Sequence, residues 1–465
     1  IIHVSSIERK MITEIEMDLA RHCISHAVSC GASAARAYLN KCTTDSYTVL
    51  NGELDKVTHS SDRSVYIYIY ADGRYGTFST NRLEKSDLED FVEKAVGMVR
   101  MLGEDLCRRL PDPERTAKDA LTGRELGLYD ESYEDTDADT RLEHACRLSI
   151  FEDIRKEDSN FTLISEECEF SCTIDDSYTA DSQGFEGRHT ETAFGTFSEM
   201  TIEDAEGCKY SGFWWQSTPR LADIDLKGCG RKALERAVRQ IGPKKRRSGR
   251  YRMVVDSTVA SRLVSPVISA LNSSAIQQKM SFLEGSEGMK VFHEGMTLMD
   301  LARTPGKNGS RLFDTEGVAT KDAPIIENGV VKQYFTSTYM SEKMGIPATI
   351  EDISRPCLMP YVEGRDLQTE EKGVSLDDIL KLCGNGILVS GFNGGNCNPV
   401  TGDFSFGIEG FAFSRGKITH PVREMLITGN IKELWNSLIA AGSDARESSR
   451  WQIPTLAFEG VAFSG

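Results

Sequence analysis

Between Val65 and Tyr70 the chain alternates without a break, Val65-Tyr66-Ile67-Tyr68-Ile69-Tyr70, and Asp72-Gly73 follows at once. A side-chain period of two sets the tyrosines on one face and Val/Ile on the other, the pattern of a half-buried β-strand. Asp-Gly tolerates the positive φ of a tight hairpin turn, so Tyr75–Ser79 reads as the return strand. An antiparallel sheet with one apolar face needs a cover. Two helices are predicted to supply it. The first runs from about Glu8 to Cys30, because Ile12, Ile15, Leu19, Cys23 and Ala27 recur at helical spacing and Gly31 stops it. The second opens on a Ser86/Glu89 capping box, carries Leu88, Val92, Ala95 and Val99 on one stripe, and ends by Leu102.

The same grammar recurs downstream. Strands are predicted at Ala35–Leu39, Tyr47–Leu50, Thr162–Ser165, Glu169–Asp175, Thr190–Met200 and Tyr210–Trp215, and helices at Ala138–Glu157 and Ala222–Gln240. Residues 104–137, with Pro111, Pro113 and an acidic run at 130–135, read as an extended surface connection. Gly242-Pro243-Lys244-Lys245-Arg246-Arg247-Ser248-Gly249-Arg250 punctuates the chain as a solvated linker. Beyond it come more strands, a helix near Ser257 that contains Pro266, hairpin turns at Asn328-Gly329 and Arg415-Gly416, and a glycine-dense turn at Gly391–Asn396. The 465 residues exceed what one core ordinarily holds. The expected fold class is α+β: residues 1–242 as an antiparallel sheet flanked by helices, and residues 250–465 as a mostly β, barrel-like domain.

Of the net charge of −17, all lies before Ile241, where 46 acidic residues face 29 basic ones; beyond it 25 face 25. That balance makes direct nucleic-acid binding unfavourable, since such affinity rests largely on phosphate neutralisation. No apolar run is long enough to span a membrane, and Ile1–Lys10 lacks a signal-peptide layout. Twelve scattered cysteines without a CxxC pair suit reduced thiols and a cytoplasmic location.

Candidate chemistry is sparse. The only His-Glu pair, His293-Glu294, has no second histidine nearby, so no HExxH or HExxxH zinc helix exists. His22, His26 and Cys30 share a helical face, and Cys168 and Cys172 share a strand. No P-loop, dinucleotide fingerprint or GxSxG elbow is present. The densest motif is Gly394–Ser405, in which Gly395, Asn396, Asn398, Thr401, Gly402 and Asp403 combine close backbone approach with hydrogen-bonding side chains. It lines a binding cleft or forms a structural corner.

Together with Leu50–Leu54, Gly73–Gly76, Leu88–Val96, Ser281–Gly285, Ile326–Lys332, Pro421-Val422 and Gly429-Asn430, this segment resembles the TldD/TldE (PmbA) family over nearly the whole chain. The resemblance implies a two-subunit metalloprotease that admits unfolded peptides, one subunit holding zinc through an HExxxH helix and a C-terminal cysteine. Counted without gaps from Ser281, that window falls on Val264-Ser265-Pro266-Val267-Ile268-Ser269, so Val264, Ser265 and Ser269 stand where two histidines and a glutamate belong. Arg446–Pro454 has no cysteine. The chain thus resembles the TldE type. Expected are no metal, no catalytic residue and no cofactor of its own, zinc only in a TldD-like partner, and a heterodimer with that partner or a homodimer. An unfolded peptide could add to a sheet edge as a strand. The competing readings are a hydrolase with another site, such as Cys397 with His420 as its base, and a gyrase-associated regulator.

Overall fold

The computed structural model describes residues 10–155, 160–365 and 373–465. Strands β1 (Ala34–Leu50), β2 (Glu53–Ala71), β3 (Arg74–Thr80), β4 (Phe161–Asp181), β5 (Glu186–Asp204) and β6 (Lys209–Thr218) form a six-stranded half-barrel sheet, ordered β3-β2-β1-β4-β5-β6 and antiparallel throughout. Four helices cover one face. Under α1 (Glu14–Ser29) and α2 (Lys85–Val99) lie Ala35, Ala37, Leu39, Ile67 and Ile69; α3 (Ala138–Leu148) and α4 (Gly228–Val238) close over Val49, Cys168, Phe170, Ile174 and Phe194.

The sequence pattern predicts a gap between Leu39 and Tyr47, but β1 runs through it. Lys41, Thr43 and Asp45 point toward the helices and are buried. They survive there because each charge has a partner. Lys41 Nζ lies 3.3 Å from Glu16 and donates to Met11 O at 2.8 Å, while Asp45 lies 2.8 Å from Arg141 and 2.7 Å from His59. Burial alone would raise the Glu16 carboxyl, but the Thr13 amide and Lys41 outweigh it and hold it below its usual range.

The same polar seam sets where α1 begins. Asp176, fully buried, accepts from the Ile12 amide at 2.8 Å, from Thr190 Oγ1 at 2.8 Å and from two Arg188 nitrogens at 3.0 and 2.6 Å; Arg188 also donates to Ile12 O. With the chain clamped at Ile12, Thr13 and Glu16 form the capping box and the helix starts at Glu14; Glu8 lies outside the described residues. At α2 the predicted Ser86/Glu89 box does not form, because Glu89 turns to His22 Nε2 at 2.7 Å. The buried Glu166 carboxylate accepts from the Ile150 and Phe151 amides at 2.8 and 3.1 Å, which ends the third helix at Leu148. The predicted Ala222–Gln240 helix shortens to α4 because Asp225 accepts from the Gly228 amide at 2.7 Å and caps it there.

By packing, the chain divides into two compact units. The first gathers the described residues up to Val238 with Arg303–Thr320 and Ser337–Glu351; the second holds Arg239–Ala302, Lys321–Thr336 and the described residues from Asp352 onward. Two segments that a division at 242–250 assigns to the second half therefore pack with the first. Residues 104–137 are also not a surface connection. Ala117, Ala120, Leu126 and Leu128 are buried with Phe185 and Leu312, and Arg303 pairs with Asp119 at 2.6 Å.

The second unit has β7 (Gly249–Val255), then helix α5 (Ser261–Ala270). A small sheet follows from β8 (Leu298–Asp300), β9 (Ala323–Glu327), β10 (Val330–Val331) and β11 (Pro356–Leu358). After β12 (Tyr361–Val362) come α6 (Leu376–Cys383), β13 (Gly386–Cys397), β14 (Asp403–Ser414), β15 (Lys417–Asn430), α7 (Ile431–Asn436), β16 (Leu438–Ala441) and β17 (Leu456–Ser464). Because β17 pairs with both β15 and β7, the ring β7-β13-β14-β15-β17 closes as a five-stranded barrel. Short strands β16 and β12 branch from β17 beside the ring. The predicted turn at Gly391–Asn396 is strand instead: β13 continues through it with two bulges, at Val389/Gly391 and Phe392/Gly395, which curve it into the ring. Among the described residues no helix is long and apolar enough to cross a membrane.

Asp176→Ala leaves the charged, largely covered Arg188 without its carboxylate. Such breaks cost about 3–5 kcal/mol. The urea midpoint of the variant is expected to fall accordingly; a midpoint within error of wild type would show that the clamp does not support the fold.

Candidate functional site

Helix α5 carries the window Val264–Ser269 that the family resemblance singles out in the sequence. Val264 is fully buried, Ser265 is half-buried and Ser269 is exposed. Positions 264 and 269 are about 140° apart around a helix, so they do not converge; Ser265 and Ser269, four apart, share a face. Pro266 sits inside the helix without ending it. The carbonyl of Leu263 accepts from the buried Trp435 indole at 3.2 Å, which pins the helix to α7. The window offers hydroxyls and an alkyl group, and no imidazole, thiolate or carboxylate. That donor set does not suit zinc.

Around α5 the separated motifs come together. Arg262 donates to Gly395 O at 2.9 Å, and its guanidinium lies 5.0 Å over the Phe406 ring. Ser281 Oγ donates to Ala270 O, fixing the end of the helix. Phe282 sits against Gly402, where a Cβ would meet its ring at 3.2 Å. The loop itself is closed by its own bonds. The Asn398 amide donates to Asp403 O at 2.7 Å, the Gly402 amide to Asn398 O at 2.8 Å, and the Val400 amide to Asn398 Oδ1 at 2.9 Å. Thr401 Oγ1 and Asn430 Nδ2 bond Asp403 at 2.7 and 2.9 Å and hold its carboxyl below the usual range. Asn396 lies exposed on β13. Arg262 has no motif to mark it in the sequence; only the fold brings it to Gly395.

The Cys397/His420 pair does not assemble. Cys397 is opposite Phe404 and His420 opposite Ala412, eight residues along β14, or roughly 25 Å. Burial, then the Asp403 charge, pushes the Cys397 thiol up. The other sequence candidates are engaged elsewhere or buried. His22 engages Glu89, His26 Nε2 lies 3.7 Å from Cys30 Sγ, and Cys168 and Cys172 are buried in the core. Among the described residues no group of three or more His, Cys, Asp or Glu is placed to hold a metal. The basic linker is partly tied down: Lys245 pairs with Glu424 at 2.6 Å and Tyr251 donates to Arg247 O at 2.7 Å.

In the first unit, the sheet face away from the helices is polar and half-buried. Tyr38 packs on Tyr66 at 6.0 Å, Arg36 lies 4.2 Å over Tyr68, and Asn40 donates to both Tyr38 Oη and Asp175 at 3.2 Å. Burial raises the Asp175 carboxyl. The tyrosine alternation already marked this face in the sequence; Asp175 and Asn40 carried no such signal.

Two outcomes test this description. Gly395 has φ +86°, and a Cβ there would fall 1.9 Å from Ser405 O. Gly395→Ala is expected to lower the thermal midpoint by an amount equivalent to about 1–3 kcal/mol; an unchanged midpoint would contradict the bulge. Cys397, with its raised thiol, is expected to react with iodoacetamide at neutral pH no faster than a free cysteine; a rate tenfold or more above that would revive the nucleophile.

Three profiles describing PmbA/TldA metallopeptidase domains match the chain: domain 1 over residues 35–99, the central domain over 134–241 and the C-terminal domain over 248–465. The Escherichia coli O157:H7 metalloprotease PmbA is 23% identical, with 98% of this chain and 99% of that protein aligned. The Haemophilus influenzae metalloprotease PmbA homolog is 25% identical, with 94% of each covered. A Bacteroides thetaiotaomicron protein whose name links it to modulation of DNA gyrase superposes with a TM-score of 0.91 at 39% identity, covering 98% of this chain and all of that one. TldE from Thermococcus kodakarensis shares the fold, with a TM-score of 0.75 at 18% identity over 96% of this chain and all of that one. A half-barrel sheet, a five-stranded ring and three consecutive domain matches identify the chain as a member of the TldD/PmbA family of metallopeptidases.

Proposed function

We propose that this chain is the metal-free subunit of a two-subunit cytoplasmic peptidase acting on unfolded peptides, its partner being the zinc-bearing member of the same family. One observation carries the reading: α5 presents Val264, Ser265 and Ser269 in the metal window, and Arg446–Pro454 adds no cysteine. Zinc hydrolysis needs a cation that brings a bound water toward neutral pKa, and a base beside it. Hydroxyl and alkyl side chains supply neither. The relatives' name, metalloprotease, keeps the chain in proteolysis.

What this subunit gives is then binding surface. The outer edge of β6 pairs with no further strand among the described residues, and Phe213 and Trp215 are exposed beside it. An extended peptide adding there would be held mainly through its backbone, which suits substrates of varied sequence.

Elemental analysis of the purified chain, with an unfolded casein assay, tests the proposal. The expected result is no stoichiometric zinc and no cleavage alone, with cleavage when a zinc-bearing family partner is added. One zinc per chain together with cleavage by the isolated protein would overturn it.

A further inference from the structure

Five cations, Lys244, Lys245, Arg246, Arg247 and Arg250, fall within seven positions of a chain whose net charge is −17. A run of like charge ordinarily repels itself and stays loose. Here it is fastened to the barrel of the second unit. The Lys244 amide donates to Pro421 O on β15 at 2.9 Å, the Tyr251 hydroxyl to Arg247 O at 2.7 Å, and Arg250 Nη1 to Gly460 O on β17 at 2.7 Å. The Arg246 guanidinium lies 4.8 Å over the Tyr251 ring, which meets Phe463 edge-on at 5.8 Å. Partial burial, then the Lys244 and Arg246 charges, holds the His420 ring below its usual range, so both cations lie beside β15. Lys244, Lys245, Arg247 and Arg250 are nevertheless exposed. Among the described residues no carboxylate pairs with Lys244, Arg246, Arg247 or Arg250. Lys245 does hold an anion. It is Glu424, at 2.6 Å, on the adjoining strand and at φ +57°, in the left-handed region that an L residue seldom adopts. The group this surface has already taken is thus a carboxylate on an extended chain.

We propose that the surface anchors an acidic peptide segment, a carboxylate-rich stretch of the unfolded polypeptide. The inference rests on the function proposed above and deepens it, because it gives the substrate a charge preference that backbone pairing at a sheet edge does not supply. Anchored cations lose little freedom when a ligand arrives. A basic patch in an otherwise acidic chain also draws an anion to one place. Nucleic acid fits less well: its affinity depends on neutralising many phosphates, and five cations in a chain of this net charge offer few.

The test is fluorescence anisotropy of a fluorescein-labelled decaglutamate titrated with the full chain. Binding is expected, and it is expected to weaken as salt rises, since exposed charges are screened. The double variant Lys244→Glu/Arg247→Glu is expected to bind about tenfold more weakly, while Arg247→Lys, which keeps the charge, stays within about twofold of wild type. Glu424→Gln vacates Lys245 and is expected to bind about twofold more tightly or better, a gain that a merely structural linker would not give. All these positions are exposed, and a far-UV melt checks that folding is intact. Decaglutamate binding no better than decaglutamine, an affinity unchanged in the double variant, a Glu424→Gln variant that gains nothing, or tighter binding of an oligothymidylate of matched charge would each overturn the inference. The assay needs neither zinc nor a partner subunit, so its failure leaves the proposed function standing, and failure of the zinc and cleavage test leaves this binding to be read by itself.

Discussion

The half-barrel depends on charge buried in pairs. Its helix-covered face consists of two apolar cores, one beneath α1 and α2, the other beneath α3 and α4. Between them β1 and β4 carry Lys41, Asp45 and Asp176 inward, and the gap is filled by Glu16, Arg141 and Arg188. An apolar seam would pack as well and cost less desolvation. The charged one does something an apolar one does not: it fixes the start of α1 through Ile12 and Thr13, and so the register of the helix over the sheet. Seventeen- to twenty-one-residue strands need such anchors, because a one-residue slip would turn every side chain to the wrong face.

The second unit answers the same need by closure. A five-stranded ring has to curve sharply, and β13 does so through its two bulges. Gly395 and Gly410 let neighbouring strands approach within reach of carbonyls that a Cβ would strike at 1.9 Å. The loop from Asn398 to Asp403 is held by its own bonds and by Asn430 and Ile431, while Arg262 on α5 bonds Gly395 on the strand before it. The segment that looked richest in chemistry is thus built mainly of backbone geometry. Helix α5 itself presents packed alkyl groups and hydroxyls.

Much of the fold was legible. The Val65–Tyr70 alternation, the Asp72-Gly73 turn, the apolar stripe of α2 and the barrel-like second half are local patterns, and local patterns survive folding. The misreadings share one cause. The middle of β1 was passed over because Lys41 and Asp45 look like loop residues until Glu16 and Arg141 arrive from other helices. The Ser86/Glu89 box failed because His22, 67 residues earlier, claims Glu89. Residues 104–137 read as surface because their apolar residues are widely spaced and find Phe185 and Leu312 only in space.

The amino-acid sequence by itself determined the fold class, the family and the donor chemistry of α5, because periodicity, motif order and side-chain identity do not depend on where the chain goes. Only the tertiary structure decided that Val264 faces the core, that Cys397 and His420 stand far apart along β14, and that β2 begins with an edge open on one side. Each of those is a relation between distant segments, and side chains acquire relations of that kind only when packing and strand register have set their distances.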